Sequence, residues 1–177
     1  HIAYDTLVIC IGSLSNDFGT KGVKDFALKL ETQGDAKSFH SKMVNACIRA
    51  HHQKESIHKR QLHVAIIGAG ATGVELAAEL HRTTREVVAY GLDRIDADKD
   101  IKVSLIEAAE RILPALPPRL SHATEHLITR LGVQVLTNSK VMEVTATGIR
   151  MVDGREIESE LVVWAAGVKA PDFLKNF

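Results

Sequence analysis

The sequence predicts an α/β fold with a parallel sheet, helices on its faces and a short antiparallel meander. Three observations carry this prediction. The run at 62–67 is apolar and rich in β-branched residues, which is typical of a strand buried on both faces. Segments with helical spacing alternate with further runs of this kind. Near the end of the chain, short alternating strands are joined by the tight turn Asp153-Gly154.

Composition and charge are those of an ordinary globular protein of one domain. The 177 residues include 22 Lys plus Arg and 22 Asp plus Glu, so the formal net charge is zero. Because no basic field would attract a polyanion, we expect no nucleic-acid partner. Cys10 and Cys47 belong to no C-x-x-C motif, and we expect both to be small buried side chains.

The first third of the chain is predicted to hold a strand, a loop and a helix. Residues 4–13 form an apolar run that stops at a glycine, and a plain buried strand with a turn is the simpler interpretation than a strand entering a cofactor site. Residues 16–32 are predicted to be a connecting loop. Apolar residues then recur with helical spacing at 35–52, with Asp35 as the candidate cap. The histidines of this region are interpreted as solvated side chains rather than metal ligands: His40, His51, His52, His58 and His63.

The stretch 62–75 carries the main functional signal. Gly68, Gly70 and Gly73 follow the predicted strand at once and have the spacing G-x-G-x-x-G. In that motif the first glycine permits a tight turn, the second lets backbone approach a pyrophosphate, and the third lets helix pack on strand. A helix beginning near Ala71 would point unpaired N–H groups at the phosphates. A glycine triplet alone also fits a plain turn, so the strand before it and the helix after it are what favour a nucleotide site.

A second predicted strand, at 101–106, ends in the acid Glu107. In sites of this kind such a carboxylate binds the adenosine ribose hydroxyls, and it would repel a 2′-phosphate. The sequence therefore favours NAD(H) over NADP(H), unless Arg111 turns inward. Glu107 comes 34 positions after Gly73, which exceeds the roughly 20 typical of the motif. The polar segment 90–100 is interpreted as an inserted loop; its aspartates lack the glycine and glutamate of a calcium loop, and no metal site is predicted.

The last part of the chain is predicted to complete the sheet. A helix begins with Pro118 in its first turn and ends at Gly132. Its predicted buried face is Leu120, Ala123, Leu127, Ile128 and Leu131. The further strands are predicted at 133–136, 141–145, 148–152, 155–157 and 161–165. In open sheets ligands lie outside the carboxyl ends of the strands, so the glycine motif, Glu107 and Ala166-Gly167 would share one rim of a Rossmann-like dinucleotide-binding domain.

Several long segments resemble the NADH-binding domain of bacterial type II NADH:quinone oxidoreductases, flavoproteins of the FAD/NAD(P)-dependent pyridine nucleotide oxidoreductase superfamily. The resemblance covers nearly the whole chain. The matching segments are 4–12, 15–19, 68–76, 110–118 and 163–171. The runs around Ile112 and Trp164 are specific, whereas the glycine motif is shared by all relatives.

The resemblance implies a division of the chain. Residues 1–13 would be a strand of a flanking flavin domain, 14–170 the NADH-binding domain, and 171–177 the start of the linker back. We expect a fragment that binds NADH, does not turn over alone, and contacts the membrane only through segments absent from it. The whole protein would bind FAD, reduce a quinone and lie at the cytoplasmic side of the bacterial inner membrane. Without a flavin domain, 1–13 would pair elsewhere or exchange with a second copy, which makes a homodimer possible.

The resemblance also implies roles for residues at the adenosine and diphosphate end. Glu107 would hold the ribose, Ala108 would border it and Val141 would cover the adenine. The pyrophosphate would be held by Gly68, Gly70, Ala71, Thr72 and Gly73.

At the nicotinamide end, Ala166, Gly167 and Val168 would pass close to the ring. Two interpretations of Glu75 stay open: an acid favoured by the dipole of a first helical turn, or a group near nicotinamide and flavin that orients the ring or assists proton transfer. Two alternatives to the family also stay open. They are the NAD(P)H domain of a ferredoxin or nitrite-type reductase, and a non-catalytic NADH-sensing module.

Overall fold

A computed structural model describes residues 1–176 and has four parallel strands at its centre, which confirms the predicted fold class. The helices are α1 (Val23–Phe26), α2 (Gln33–His52), α3 (Ala71–Ala89) and α4 (Pro118–Arg130), with a 3-10 helix at Asp172–Asn176. The strands are β1 (Leu14–Ser15), β2 (His63–Ile67), β3 (Lys102–Ile106), β4 (Gln134–Leu136), β5 (Val141–Thr145), β6 (Gly148–Met151), β7 (Glu156–Glu158), β8 (Leu161–Trp164) and β9 (Val168–Lys169). No helix in this described part of the chain is long and apolar enough to cross a membrane.

The central sheet has the strand order β4-β3-β2-β8, and all its pairs are parallel. Helix α3 connects β2 to β3, and α4 connects β3 to β4. Ile67 pairs with Ile106 on one side and with Trp164 on the other, so β2, β3 and β8 end at the same level. The register therefore aligns three carboxyl ends on one rim, where ligands bind in sheets of this kind.

Each face of the sheet has its own apolar core. On one face, α2 and α3 contribute Phe39, Met43, Val74 and Leu80 to a buried cluster. On the other face the antiparallel sheet β5-β6-β7 contributes a second cluster with Met151. Because β2 is covered on both sides, all five of its residues are buried, as its continuous apolar sequence predicts.

The strand predicted at 4–13 is not formed. The structure describes residues 1–13 without a paired strand, and their apolar side chains and Cys10 are exposed. A strand needs a neighbouring backbone, and the outer edge of β8 is already occupied: the Leu28 amide donates to Val162 O (2.8 Å), while the Trp164 amide donates to Leu28 O (2.8 Å). The prediction that Cys10 is buried is therefore wrong, whereas that for Cys47 is confirmed.

The segment predicted as a loop at 16–32 also holds structure, namely α1 and the Leu28 bridge to β8. The cap of α2 is Thr32 rather than Asp35. The Thr32 hydroxyl accepts from the Asp35 amide (3.1 Å), and the Asp35 carboxylate accepts from the Thr32 amide (2.8 Å). This reciprocal capping box holds the pKa of Asp35 below its usual value, through hydrogen bonds from Thr32.

The predicted buried face of α4 is partly wrong. Ile128 is buried as expected, but Leu120 is 51% exposed and Leu127 is 59% exposed. The position that packs inward two turns before Ile128 is Ser121, whose hydroxyl donates to Ile112 O. An isolated hydroxyl is costly to bury unless it has an acceptor, and the Ile112 carbonyl supplies one. Helix α4 is thus rotated about its axis relative to the prediction, and Leu120 and Leu127 lie largely outside its buried face.

The prediction of a solvated His63 is also wrong, because its side chain is only 8% exposed. His63 begins β2, and its Nε2 lies 2.8 Å from the Ser104 hydroxyl on β3. That hydroxyl also donates to the Gln134 amide oxygen (3.0 Å), so the buried contact between His63 and Ser104 continues to β4. Burial lowers the pKa of His63, since the charged imidazolium would lose its hydration.

Acid should therefore destabilise the chain through His63. Its folded-state pKa lies below the unfolded value of about 6.5, so its stabilisation is complete above that pH and is lost as the pH falls through the folded value. Between pH 7.5 and 5, the free energy of unfolding measured in urea should fall less for His63→Gln than for the unmodified chain. The difference should be up to about 1.4 kcal/mol per pH unit. The exposed His58→Gln serves as the control, and equal slopes in all three proteins would contradict the prediction.

Candidate dinucleotide-binding site

A cleft of about 540 Å³ opens at the rim where β2, β3 and β8 end. It brings together seven of the residues singled out in the sequence: Gly68, Gly70, Glu107, Ala108, Val141, Ala166 and Gly167. It also contains side chains that were not expected there: Phe18, Thr20, Pro114, Ser139, Lys140 and Trp164. The cleft has the size of a small-molecule or cofactor site.

The three glycines of the motif do different work. A Cβ at Gly68, whose φ is +101°, would lie 2.6 Å from the Ala166 backbone, so this residue lets two strand ends approach each other. A Cβ at Gly73 would collide with the Gly68 carbonyl oxygen, so this residue lets α3 pack against the bend. A Cβ at Gly70 would meet nothing within 4 Å. The space in front of Gly70 is where a diphosphate would contact backbone.

Helix α3 points its N-terminus at this space. Its N-cap is Gly70, which offers no side-chain cap, and the first intrahelical bond runs from the Val74 amide to Gly70 O (3.1 Å). The amides of Ala71, Thr72 and Gly73 therefore have no acceptor within the helix. Ala71 and Thr72 are exposed, so these N–H groups and the positive end of the helix dipole are available to an anion.

The carboxylate of Glu107 is held across the mouth of the bend. One oxygen accepts from the Ala69 amide (2.8 Å) and the other from the Ala109 amide (2.9 Å). The backbone of Glu107 is fixed too, because its amide donates to Leu136 O and its carbonyl accepts from the Ser139 amide, each at 2.8 Å. A carboxylate oxygen has more than one lone pair, so Glu107 can also accept from ribose hydroxyls.

Arg111 does not turn into the cleft. Its guanidinium donates to the carbonyl oxygens of Leu116 (2.7 Å) and Pro114 (2.9 Å), which belong to the same loop. The sequence left open whether Arg111 turns towards Glu107. In the structure it is turned away, so among the described residues that line the cleft no arginine opposes the Glu107 carboxylate.

The segment after β8 forms the far wall. The Ala165 amide donates to Ile67 O (2.8 Å), which carries the chain past the end of β2. Gly167 then adopts a φ of +68°, and the ring of Phe18 lies directly over its Cα. Trp164 completes the wall: its indole N–H donates to Asn16 O (2.9 Å). The pairing of β1 with β9 holds these two segments together.

The five remaining candidates do not line the cleft, and one of them, Gly73, packs against the Gly68 carbonyl instead. Val168 is 72% exposed in β9, opposite Ser15 of β1. Glu75 is exposed in the first turn of α3. Ala71 and Thr72 do not line the cleft either, although their amides belong to its helix N-terminus. The glycine bend could thus be predicted from its motif. Phe18 could have been found only through the family resemblance of segment 15–19.

Within the described residues, no group of three or more His, Cys, Asp or Glu side chains is placed to hold a metal ion. Two of the four aspartates of the 90–100 loop form ion pairs. Asp98 bonds Arg85, and Asp96 bonds Lys99 (2.7 Å).

The parallel sheet, the glycine bend at a helix N-terminus and the acid at the next strand end define a Rossmann-like dinucleotide-binding domain. The model of the pyridine nucleotide-disulphide oxidoreductase family matches residues 1–176. The chain belongs to this family, which confirms the superfamily that the sequence suggested.

Individual relatives narrow the comparison. The chain is similar to the type II NADH:quinone oxidoreductase of Haemophilus influenzae, with 37% identity over 188 residues, covering 99% of this chain and 42% of that protein. It also superposes on NDH2 of Plasmodium falciparum, solved in complex with NADH, with a TM-score of 0.87 and 26% identity, covering 99% of this chain and 37% of the other. The chain thus spans less than half the length of these relatives.

A ferredoxin reductase of Rhodopseudomonas palustris shares the fold more distantly. It matches with a TM-score of 0.66 and 21% identity, covering 89% of this chain and 33% of the other. At this identity the likeness shows the fold alone.

The packing role of Gly73 can be tested by adding one methyl group. Gly73→Ala would force its Cβ against the Gly68 carbonyl, and we expect a loss of about 2 kcal/mol in the free energy of unfolding, measured by urea denaturation. Gly34→Ala is the matched control, because it also lies in a first helical turn but meets only Thr32 Oγ1 at 3.5 Å. That change should be neutral or stabilising by up to about 1 kcal/mol. Equal effects of the two changes would contradict the assigned role.

Proposed function

We propose that this chain is the NADH-binding domain of a type II NADH:quinone oxidoreductase, in which NADH passes a hydride to FAD and a membrane quinone then receives the electrons. The observation that carries the proposal is the open space before Gly70, bounded by an uncapped helix N-terminus on one side and a fixed carboxylate on the other. Support also comes from a relative of that name at 37% identity and a solved relative that binds NADH.

The chain would grip NADH mainly by its diphosphate. The backbone of Gly70, Ala71, Thr72 and Gly73 would hold the two phosphates, since the amides of the last three have no acceptor within the helix and a Cβ at Gly70 would meet nothing within 4 Å. Backbone donors suit this task because they are already oriented before binding, so less freedom is lost when the ligand arrives.

The adenosine would lie along the end of β3. Glu107 would accept hydrogen bonds from both ribose hydroxyls, while Ala108 and Val141 would contact the ribose and the adenine. Glu107 would oppose a 2′-phosphate by charge repulsion, and Arg111 cannot offset this because both sides of its guanidinium fork are engaged. The preferred ligand is therefore NADH.

The nicotinamide would lie at Ala166 and Gly167, where the absence of long side chains leaves room for a ring. NADH supplies the hydride, and the residues of this chain supply its position. Val168 and Glu75 are exposed just outside the cleft, where they can meet a neighbouring domain rather than the ligand alone. Exposure suits both interpretations of Glu75: an acid favoured by the dipole of the first turn of α3, or a group that meets the nicotinamide and flavin of a neighbouring domain.

The proposal includes the division of the chain into 1–13, 14–170 and 171–177. Residues 1–13 expose apolar side chains along their length, as expected for a strand that is buried by a flavin domain or, failing that, by a second copy. The whole protein would act at the cytoplasmic face of the bacterial inner membrane, because its quinone is held there. Contact with that membrane would come from the remaining part of the protein.

Reversing the charge of Glu107 tests the assigned ligand preference. Glu107→Arg should weaken NADH binding about tenfold and narrow the difference between NADH and NADPH, because ribose acceptors are lost and a cation faces the 2′ position. Trp164 is the single tryptophan and lines the cleft, so quenching of its fluorescence by the reduced nicotinamide measures affinity directly.

The control is Glu110→Arg, which makes the same change of charge at an exposed position outside the cleft. It should leave both affinities unchanged. An unaltered preference in Glu107→Arg would remove this residue from the site, and absence of NADH binding to the unmodified chain would refute the proposed function.

Turnover provides a second test. The isolated 177-residue chain should bind NADH but not oxidise it in the presence of FAD and a quinone analogue. The whole protein should oxidise NADH, followed as loss of its absorbance, since hydride transfer needs the flavin held against the nicotinamide. Oxidation by the isolated chain at a comparable rate would contradict the division into domains.

A further inference from the structure

The cleft is lined by two charged side chains of opposite sign. Among the described residues that line it, Glu107 is the one carboxylate and Lys140 is the one cation. Motif-based reasoning from the sequence considers Arg111 as the basic residue near the ribose, but Lys140 is 29 positions further on and reaches the site from a different part of the fold.

Backbone contacts place Lys140 at the adenosine end. The Ser139 amide donates to Glu107 O (2.8 Å), so the residue before Lys140 is fixed to the tip of β3. The Lys140 carbonyl accepts from the Val152 amide (2.9 Å), and the next residue, Val141, is buried in the core below the meander. The main chain of Lys140 is therefore held on both sides, while its side chain is exposed and lines the cleft.

The other cations of this region are engaged elsewhere. Arg111 donates to the Pro114 and Leu116 carbonyls, and Arg155 donates to Asp153 (2.7 Å) and to the Ser139 hydroxyl (2.9 Å). Lys140 forms none of the ion pairs found between residues 1 and 176. Its ammonium is thus the cation at this end of the cleft that can respond to a ligand.

We propose that Lys140 sets the tolerance of this site for a 2′-phosphorylated dinucleotide. The inference rests on the proposed function, since it assumes that the adenosine of NADH lies between Glu107 and Val141. In that arrangement Glu107 repels a 2′-phosphate, whereas the Lys140 ammonium donates to it. NADPH is then a weaker second ligand rather than an excluded one, and the two opposite charges determine the ratio of the two affinities.

A flexible lysine suits this role. An arginine in the same place would bind a phosphate with two parallel hydrogen bonds, whereas an ammonium acts as a point charge on a mobile stem. When NADH is bound, the Lys140 ammonium has no phosphate at the 2′ position and remains in water, so its removal costs NADH little. The proposal therefore separates the two ligands: Lys140 affects NADPH and spares NADH.

The test is to measure NADH and NADPH affinities of the 177-residue chain by quenching of Trp164 fluorescence. Lys140→Met removes the charge and keeps most of the aliphatic stem. It should weaken NADPH about five- to tenfold, as expected for one exposed contact between an ammonium and a phosphate, and leave NADH within about twofold. Lys140→Arg should retain or strengthen NADPH binding. Raising the salt concentration should weaken NADPH more in the unmodified chain than in Lys140→Met.

The matched control is Lys102→Met, which removes an exposed lysine at the amino end of β3, away from the cleft. It should change neither affinity. Equal weakening of NADH and NADPH by Lys140→Met would assign the lysine to the shared diphosphate and overturn the proposal. Unchanged NADPH affinity in Lys140→Met, or absence of NADPH binding to the unmodified chain, would also overturn it. Failure of NADH to bind the unmodified chain refutes the proposed function itself, and is thereby distinguished from failure of the Lys140 assignment alone.

Discussion

The close approach of three backbone segments is the constraint on which the site depends. The bend at Gly68 touches the chain at Ala166, and the first turn of α3 touches the same bend through Gly73. A side chain at either glycine would separate these segments. Because they meet without side chains, the helix N-terminus, the end of β2 and the end of β8 lie at one point of the rim. The geometry of the proposed diphosphate site is therefore a consequence of how tightly backbone packs on backbone.

The carboxylate of Glu107 adds the end of β3 to this arrangement. It bonds the Ala69 amide inside the glycine bend, while the Gly68 amide donates to Ile106 O (2.7 Å) just before it. In both bonds an amide of the bend donates to an oxygen at the end of β3, so the bend and the acid form one unit. A change that displaces Glu107 also releases a donor of the bend, so the proposed contacts to sugar and diphosphate would be lost together.

Local sequence patterns were sufficient for the parallel strands, the glycine bend and the acid, because each of these is specified within a few residues. They failed where the outcome depends on a distant partner. The run at 4–13 has strand composition but forms no paired strand, and the outer edge of β8 is taken by Leu28. Leu120 and Leu127 have helical periodicity but are exposed on α4. His63 is polar yet buried, since Ser104 on the neighbouring strand β3 provides a hydrogen-bond partner for its ring. Lys140 was not predicted at the site, because it lines the cleft only through the return of the chain to the tip of β3 after β4.

The two ends of the cleft differ in a way that bears on the proposed chemistry. At the proposed adenosine end, Glu107 and Val141 are held by the sheet and the meander, so no further domain is needed to position them. At the other end, the wall consists of Phe18 over Gly167, and Val168 beyond it is exposed. A domain that must hand a hydride to a flavin on another domain cannot enclose the nicotinamide itself. Firm contacts at the adenosine and an open, small-residue surface at the nicotinamide are the arrangement that such a transfer requires.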